Sequence, residues 1–523
     1  MLSCVPVFAQ QGTQQQNSNV ELPDFVIMGK DVVKIRATQK EAPDFIPTLS
    51  EKFLKPVFSP EHLEVHEFPA MSDTTLKLLD SLNYIKGNLG IGVGNISLPF
   101  AYFSYVQPFD HGMFEGYGSG ENSRAYVPNS GKYSLNAGAN LRFFIDNAGS
   151  FLPGTQFKFH GDYGTSTYKL FASANPQLKR TYNKGNIGLD ITNFLSDTFN
   201  FALSVDDRDA NLQNESFKEN ILGLHGFAGL ELSTFSLHVK ADYNTQRISN
   251  DSVAGSQNNF VQLRPAIGLN ISNSLNASFG VYYAKAGGEN VFYPYASLGI
   301  KIDRGLSLFG EYSPEAEFLG GSYWLNKNPY FNTSVFQNFF YKKSSAFNLN
   351  LKYEYYTYFE IDGGFKYYSS SNMPYFSDAV QKGKFDLLNT DGRCITGYVN
   401  FLFHPGPYGV FYGSAKVIDS RDTSNNFIPY SPRSEVNLNY GYYFDFGLHP
   451  EINFDYNSQS YSDLANTNTV NSYIDLGLKL TYRLMPKFYL SLKASNLLNH
   501  QNYIWNGYKE RPADLTVGLN YRW

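Results

Sequence analysis

The chain ends on Leu515-Thr516-Val517-Gly518-Leu519-Asn520-Tyr521-Arg522-Trp523, an alternating segment that stops on an aromatic residue. Leu515, Val517, Leu519, Tyr521 and Trp523 fall on one face of such a strand, and Thr516, Gly518, Asn520 and Arg522 on the other. A final strand of this kind suits a sheet that closes on itself in a membrane, with its last aromatic at the lipid–water boundary. The expected fold is therefore all-β, a transmembrane antiparallel up-and-down β-barrel.

Composition removes the main alternatives. Aromatics make up 17% of the 523 residues, with 40 Tyr and 44 Phe, more than a packed soluble core uses. Charged residues are also 17%, below the quarter usual in soluble domains. Mean hydropathy is −0.33 and no apolar run is long enough for a membrane helix. A net charge of −5 without Lys/Arg-rich runs offers no surface for nucleic acid.

The first residues read differently from the rest. Cys4-Val5-Pro6-Val7-Phe8-Ala9 before Gln10 has the small-residue spacing of a peptidase site, so residues 1–9 are expected to be the remnant of a secretory signal. Its loss leaves Cys394 alone and no intramolecular disulfide. Residues 10–18 are a Gln-rich polar linker, and 19–83 are Pro-punctuated with mixed charge. From about residue 84 onward a two-residue period takes over, so 84–523 is assigned to the barrel.

The alternation is explicit in several places. Val261, Leu263, Ile267, Leu269 and Ile271 oppose Gln262, Arg264, Gly268 and Asn270. Ile474, Leu476, Leu478, Leu480, Tyr482 and Leu484 oppose Asp475, Gly477, Lys479, Thr481 and Arg483. Such runs are about 10 to 15 residues long, the length of a tilted strand that crosses a bilayer. Tight turns near 195–197, 233–234, 272–274, 303–305, 355–357, 405–407, 447–450 and 484–486, with a longer one at 147–153, alternate with longer loops. The loops are placed near 109–130, 173–181, 210–217, 247–258, 286–290, 313–343, 370–391, 420–431, 462–469 and 498–511. This pattern predicts about 20 strands, within a range of roughly 16–22, with both termini on the short-turn, periplasmic side.

The stretch Ala494-Ser495-Asn496-Leu497-Leu498-Asn499-His500-Gln501-Asn502-Tyr503, with Trp505-Asn506-Gly507-Tyr508, Arg511-Pro512 and the final Gly518-Leu519-Asn520-Tyr521-Arg522-Trp523, resembles the end of TonB-dependent outer-membrane receptors. The first of these motifs has one extra residue before its Tyr. Lys86–Asn95 followed by Pro99-Phe100-Ala101-Tyr102 is similar to the first strand of plug-less members. The resemblance implies an outer-membrane barrel of a Gram-negative bacterium, folded by the barrel-assembly machinery among lipid and lipopolysaccharide. It also implies a folded plug of well over a hundred residues, whereas residues 10–83 leave only about 70. Leu22, Pro23, Asp24, Phe25, Val26 and Ile27 look similar to the short box that adds a strand to TonB, and equally suit a plain extended tether.

Other candidate chemistry is sparse. His62 and His66 have helical spacing for a metal, but Leu63 stands where the zinc-protease pattern needs Glu. His111, His225, His449 and His500 have no local partner pattern, and Asp and Glu on the strands read as channel wall. A non-enzyme without cofactor or metal is expected. Gly321–Asn326 and Tyr330–Asn332 mix aromatics with amides, a surface for carbohydrate or protein, or for packing back into the barrel. A lumen of this width needs an occluding element, and 19–83 or the large loops are the candidates. Two functions fit: a channel or transporter-like barrel for nutrient uptake, or a partner-binding barrel for adhesion or assembly, for example with a surface lipoprotein. Mixed inward charge names no substrate.

Overall fold

The computed structural model describes residues 86–523, except 146–151, 195–197, 253–254, 273, 337–338, 356–357 and 405–408. The signal remnant, the linker, the 19–83 segment with residues 22–27, and His62 and His66 lie outside the described residues.

The first strands are β1 (Gly87–Gly94), β2 (Ser97–Phe109), β3 (Gly112–Ser123), β4 (Lys132–Phe144), β5 (Gln156–Lys169) and β6 (Lys179–Asn193). Then come β7 (Phe199–Leu212), β8 (Lys218–Glu231), β9 (Phe235–Ser249), β10 (Ser256–Ser272), β11 (Leu275–Ala286) and β12 (Glu289–Asp303). Strand β13 is in two pieces, Leu306–Tyr312 and Glu315–Leu319, both paired with β14 (Phe339–Tyr355). Pro314 between the pieces removes a ladder donor, which explains the break. The remainder are β15 (Phe359–Asp378), β16 (Phe385–Phe403), β17 (Val410–Asp422), β18 (Ser434–Gly441) and β19 (Leu448–Asn457). The ring ends with β20 (Tyr473–Met485), β21 (Phe488–Ser495) and β22 (Asp514–Arg522).

Each strand pairs antiparallel with the next, and β22 pairs with β1 from Asn88↔Arg522 to Gly94↔Thr516, so the sheet is a closed barrel of 22 strands. The count stands at the upper edge of the expected range, and one correction together with one strand at the start of the barrel explains the excess over 20. The segment 109–130, expected as a loop, contains β3, whose outward positions Gly116, Gly118 and Gly120 lack the apolar side chains that mark a strand. Residues 87–94 form a strand of their own. Likewise 370–391 is mostly strand: β15 and β16 run on to a tip at 379–384.

The two faces are inverted relative to a soluble protein. Outward positions are apolar and exposed, as at Ile187 (68%) and Phe292 (66%), while inward positions are polar and buried, as at Asp242 (4%) and Arg264 (3%). Leu515, Val517 and Leu519 of β22 belong to this outer belt. At the short-turn end the belt finishes in aromatic pairs: Phe109–Phe143 at 5.5 Å, Phe488–Tyr521 at 4.9 Å and Tyr521–Trp523 at 5.3 Å. That is the girdle a membrane barrel places at an interface.

The closing seam is built from glycine. Leu89, Ile91 and Val93 face out, which turns Gly90, Gly92 and Gly94 toward the lumen. The rings of Phe100 and Tyr102 on β2 lie across these positions, and the Tyr102 hydroxyl donates to Asn520 on β22, bridging over β1. A Cβ at Gly92 would stand 2.3 Å from the Phe100 ring and 2.4 Å from the Val517 carbonyl oxygen. The ring can turn away; the carbonyl, part of the ladder, cannot. Gly92→Leu is expected to destabilise the barrel by about 1–3 kcal/mol through overpacking. The check is the temperature at which the folded band is lost on unheated-versus-heated gel electrophoresis, beside Val93→Leu as a lipid-facing control.

Candidate functional site: the capped lumen

The lumen wall is organised in rows. Lys158, Asp190, Ser204, His225, Asp242 and Gln262 are successive cross-strand partners from β5 to β10. Asp190 accepts from Ser204 at 2.7 Å and lies 3.5 Å from Lys158, and His225 sits between Asp242 (2.6 Å) and Asp206 (3.1 Å). Farther round, Lys352 lies between Glu354 (2.7 Å) and Glu360 (2.8 Å), and Lys479 meets Glu451 at 3.1 Å. Each of these charges thus meets opposite charge on a neighbouring strand, and Lys352 meets Glu354 on its own strand as well. Among the described residues no cluster of three His, Cys, Asp or Glu is placed to hold a metal ion. His449 stacks on Tyr443 at 4.1 Å, and His500 meets Asn502 at 2.8 Å.

The long-loop end differs. Between β13 and β14 the chain forms helix α1 (Gly321–Lys327), then a 3-10 turn at Thr333–Val335. Gly320 has no capping side chain, and a carboxylate from the wall takes that role: Glu219 on β8 accepts from Gly321 N (2.6 Å) and Ser322 N (2.7 Å). An acidic group at the amino end also complements the helix dipole. Pro329 follows the helix, and Trp324 and Leu325 turn into a buried cluster with Phe217, Phe331, Phe336 and Phe376.

A second insertion meets the first. Between β21 and β22 the hairpin 503–509 turns at Gly507 (φ 81°), a backbone conformation that favours glycine. Its Tyr508 stacks on Tyr330 with ring centres 3.4 Å apart and donates to the Gly383 carbonyl at 2.6 Å. Trp505 packs among Phe376 (5.1 Å), Phe385 (5.2 Å) and Tyr430 (4.8 Å).

Polar clasps fix this cap to the rim. Arg180, at the rim of β6, is fully buried. It donates twice from Nη2 to Glu215 (2.7 and 2.9 Å), and from Nη1 to the carbonyls of Pro329 (2.7 Å) and Phe331 (3.0 Å). Asn250 donates to the Thr333 and Phe336 carbonyls at 3.0 and 2.7 Å. From the other side, Asn332 donates from its backbone to Phe385 O (2.8 Å) and from its side chain to Asp386 (2.7 Å). Lys384 at the β15–β16 tip reaches Glu215 at 3.4 Å. Since β6 and β16 stand nearly opposite in a ring of 22 strands, these contacts carry the cap across the diameter of the mouth.

The expectation for Gly321–Asn326 and Tyr330–Asn332 resolves toward inward packing: Trp324, Leu325 and Phe331 are core, with Tyr323 left exposed. Arg180, Glu215, Glu219 and Asn250 were not anticipated. Each is one polar residue among many on the wall or its rim, and its partners are not its neighbours in sequence. Residues 515–522 sit in the seam with β1 and β21, and Trp523 exchanges backbone hydrogen bonds with Gly87 at 3.0 Å.

Removal of one member of a buried ion pair costs about 3–5 kcal/mol because the other charge is stranded. Arg180→Met is therefore expected to release the cap, read as faster trypsin cleavage after Lys327, with the folded barrel band retained.

Burial opposes ionisation of Glu215, yet Arg180, with support from Lys384 and Thr333, holds its carboxyl below the ordinary 4.5. A depressed folded value means that the clasp is complete above the ordinary range and is lost as pH falls through the depressed one. Cap opening is expected on acidification from neutral pH to below the ordinary carboxylate range. The step should be absent or displaced in Glu215→Gln, measured as trypsin-independent exposure by hydrogen exchange of residues 321–336.

No protein-family model and no curated protein sequence matches this chain. Solved structures do. The siderophore receptor PirA from Acinetobacter baumannii aligns over 84% of this chain and 81% of its own, with TM-score 0.63 and 12% identity. The FrpB iron transporter from Neisseria meningitidis aligns over 86% and 83%, with TM-score 0.63 and 11% identity. A mutant of the ferric enterobactin receptor PfeA from Pseudomonas aeruginosa aligns over 84% and 80%, with TM-score 0.62 and 10% identity. At these identities the likeness is one of fold: the chain has a closed barrel like that of these structures, the fold that the resemblance of its C-terminal motifs implies.

Proposed function

We propose that this protein is an outer-membrane transporter-like barrel of a Gram-negative bacterium, with termini in the periplasm and a mouth closed by its own loops. A nutrient would pass along the polar wall when the cap opens. The observation that carries this is the cap itself: an aromatic cluster spans the mouth and is tied to the rim by a few polar clasps centred on Arg180. Below it lies a wall of paired charges suited to water and polar solutes. The solved neighbours include a siderophore receptor and an iron transporter, which supports uptake as the class. The mixed-sign wall favours no particular ion. We assign no catalytic role.

Single-channel conductance in a planar bilayer tests this. The intact protein is compared with a variant in which 321–336 is replaced by a short Gly/Ser linker. Barrels of 16–18 strands already leave an aqueous channel, so the linker variant is expected to conduct at least ~10-fold more than the intact protein. A barrel that stays closed in both forms would reject the cap as the gate and turn attention to a partner-binding scaffold.

A further inference from the structure

Three segments, 124–131, 169–179 and 503–509, meet at the long-loop end beside the aromatic cluster of the cap. Between them they carry Arg124, Lys169, Lys179 and Lys509 and no Asp or Glu, in a chain whose net charge is −5. Lys169 and Lys179 stand directly opposite each other on β5 and β6, a like-charge pairing that costs stability. Among the described residues none of the four forms an ion pair. Lys169 is held by amide oxygens instead, donating from Nζ to Gln177 at 2.7 Å and to Asn129 at 3.2 Å.

The segments enclose a cavity of about 440 Å³ whose walls include Pro128, Asn129, Phe171, Pro176, Tyr503 and Lys509. That volume is in the range of small-molecule sites. Rim and cap build it together. Phe171 packs edge-on against Tyr508 at 4.8 Å, and a Cβ at Gly507 would stand 3.1 Å from the Ala172 methyl. The Tyr126 hydroxyl donates to the Lys509 carbonyl at 2.9 Å, which ties the hairpin to the first segment and leaves the Lys509 ammonium unused.

The polar groups here donate. With the side-chain oxygens of Asn129 and Gln177 committed to Lys169, their N–H groups remain, together with the Lys509 ammonium. These donors come from three sides: Asn129 from the β3–β4 loop, Gln177 next to Pro176 from the β5–β6 loop, and Lys509 from the hairpin. An aromatic carboxylate presents acceptors at one end only. A sugar ring presents them all round its edge, and a sugar acid adds the negative charge that the lysines lack. The rings of Tyr503 and Phe171 supply apolar faces against which the C–H face of such a sugar can lie.

We propose that this pocket binds a soluble acidic saccharide, with a hexuronate ring against Tyr503 and Phe171 and its carboxylate at Lys509. Binding is independent of transport, since it holds for a barrel that opens and for one that does not.

Isothermal titration calorimetry of the purified full-length protein tests it, with trigalacturonate, neutral maltotriose and benzoate as the three probes. Trigalacturonate is expected to bind more tightly than either of the others, and less tightly as salt is raised. Its affinity should fall about 10-fold in Lys509→Gln, the loss of one hydrogen bond to a charged group, and should fall in Tyr503→Ala. Lys218→Gln, at an exposed lysine that begins β8 away from the pocket, should leave it unchanged. Equal affinity for the acidic and neutral trimers would overturn the proposal, as would benzoate binding as tightly as trigalacturonate. So would the absence of trigalacturonate binding, or binding that neither Lys509→Gln nor Tyr503→Ala alters.

Discussion

Lipid offers no hydrogen bonds to an unpaired backbone, so a membrane-spanning sheet cannot have an edge. The pairing of β22 with β1 satisfies that constraint here, and the rest of the molecule follows from how it is made. An even number of antiparallel strands brings Gly87 and Trp523 to the same end, where their backbones exchange hydrogen bonds. The seam strands are short, at 8 and 9 residues, and the first has glycine at alternate positions on its lumen face. The missing side chains let Tyr102 reach across β1 to Asn520, so three strands are tied by one side chain where the two ends of the sheet meet.

Closure at 22 strands sets the second problem, an aperture too wide for wall side chains to fill. The wall solves its own electrostatics locally, through rows such as Asp190, Ser204, His225 and Asp242. Occlusion has to come from elsewhere in the chain. At the long-loop end it comes from 321–336 and 503–509, which meet in the Tyr330–Tyr508 stack. Neither insertion has a core of its own. Each buries its aromatics against the other and against the rim, with Tyr168, Tyr182, Leu212, Phe217, Ile248, Phe376 and Phe385 among the rim residues.

Much of the barrel was legible because lipid imposes a strict period of two. Strands such as β10 and β20, with apolar residues at nearly every outward position, announce themselves. Legibility failed where a strand leaves the belt or loses its outward side chains. The glycines of β3 erase the period, and the upper parts of β15 and β16, where Met373 pairs with Thr390 beyond a bulge, rise above the lipid and no longer need it. In the cap the aromatics were visible but their geometry was not. Arg180 is separated from the carbonyls it holds by about 150 positions, and Glu219 from the helix it caps by 102. A lone Arg on a strand carries no local sign of such partners.

The division of labour within the cap determines how it can move. Apolar stacking supplies most of its cohesion but little direction, since aromatic faces slide at small cost. Direction comes from Arg180, whose guanidinium holds Glu215 and two carbonyls of the cap at once while fully buried. A small shift of 329–331 would leave that charge with half its partners and no water to replace them, which is the costliest arrangement available. Partial openings are therefore penalised more than complete ones, in which water reaches the guanidinium. On the proposed reading of the cap as a gate, the buried arginine favours a two-state choice, seated across the mouth or withdrawn as a unit.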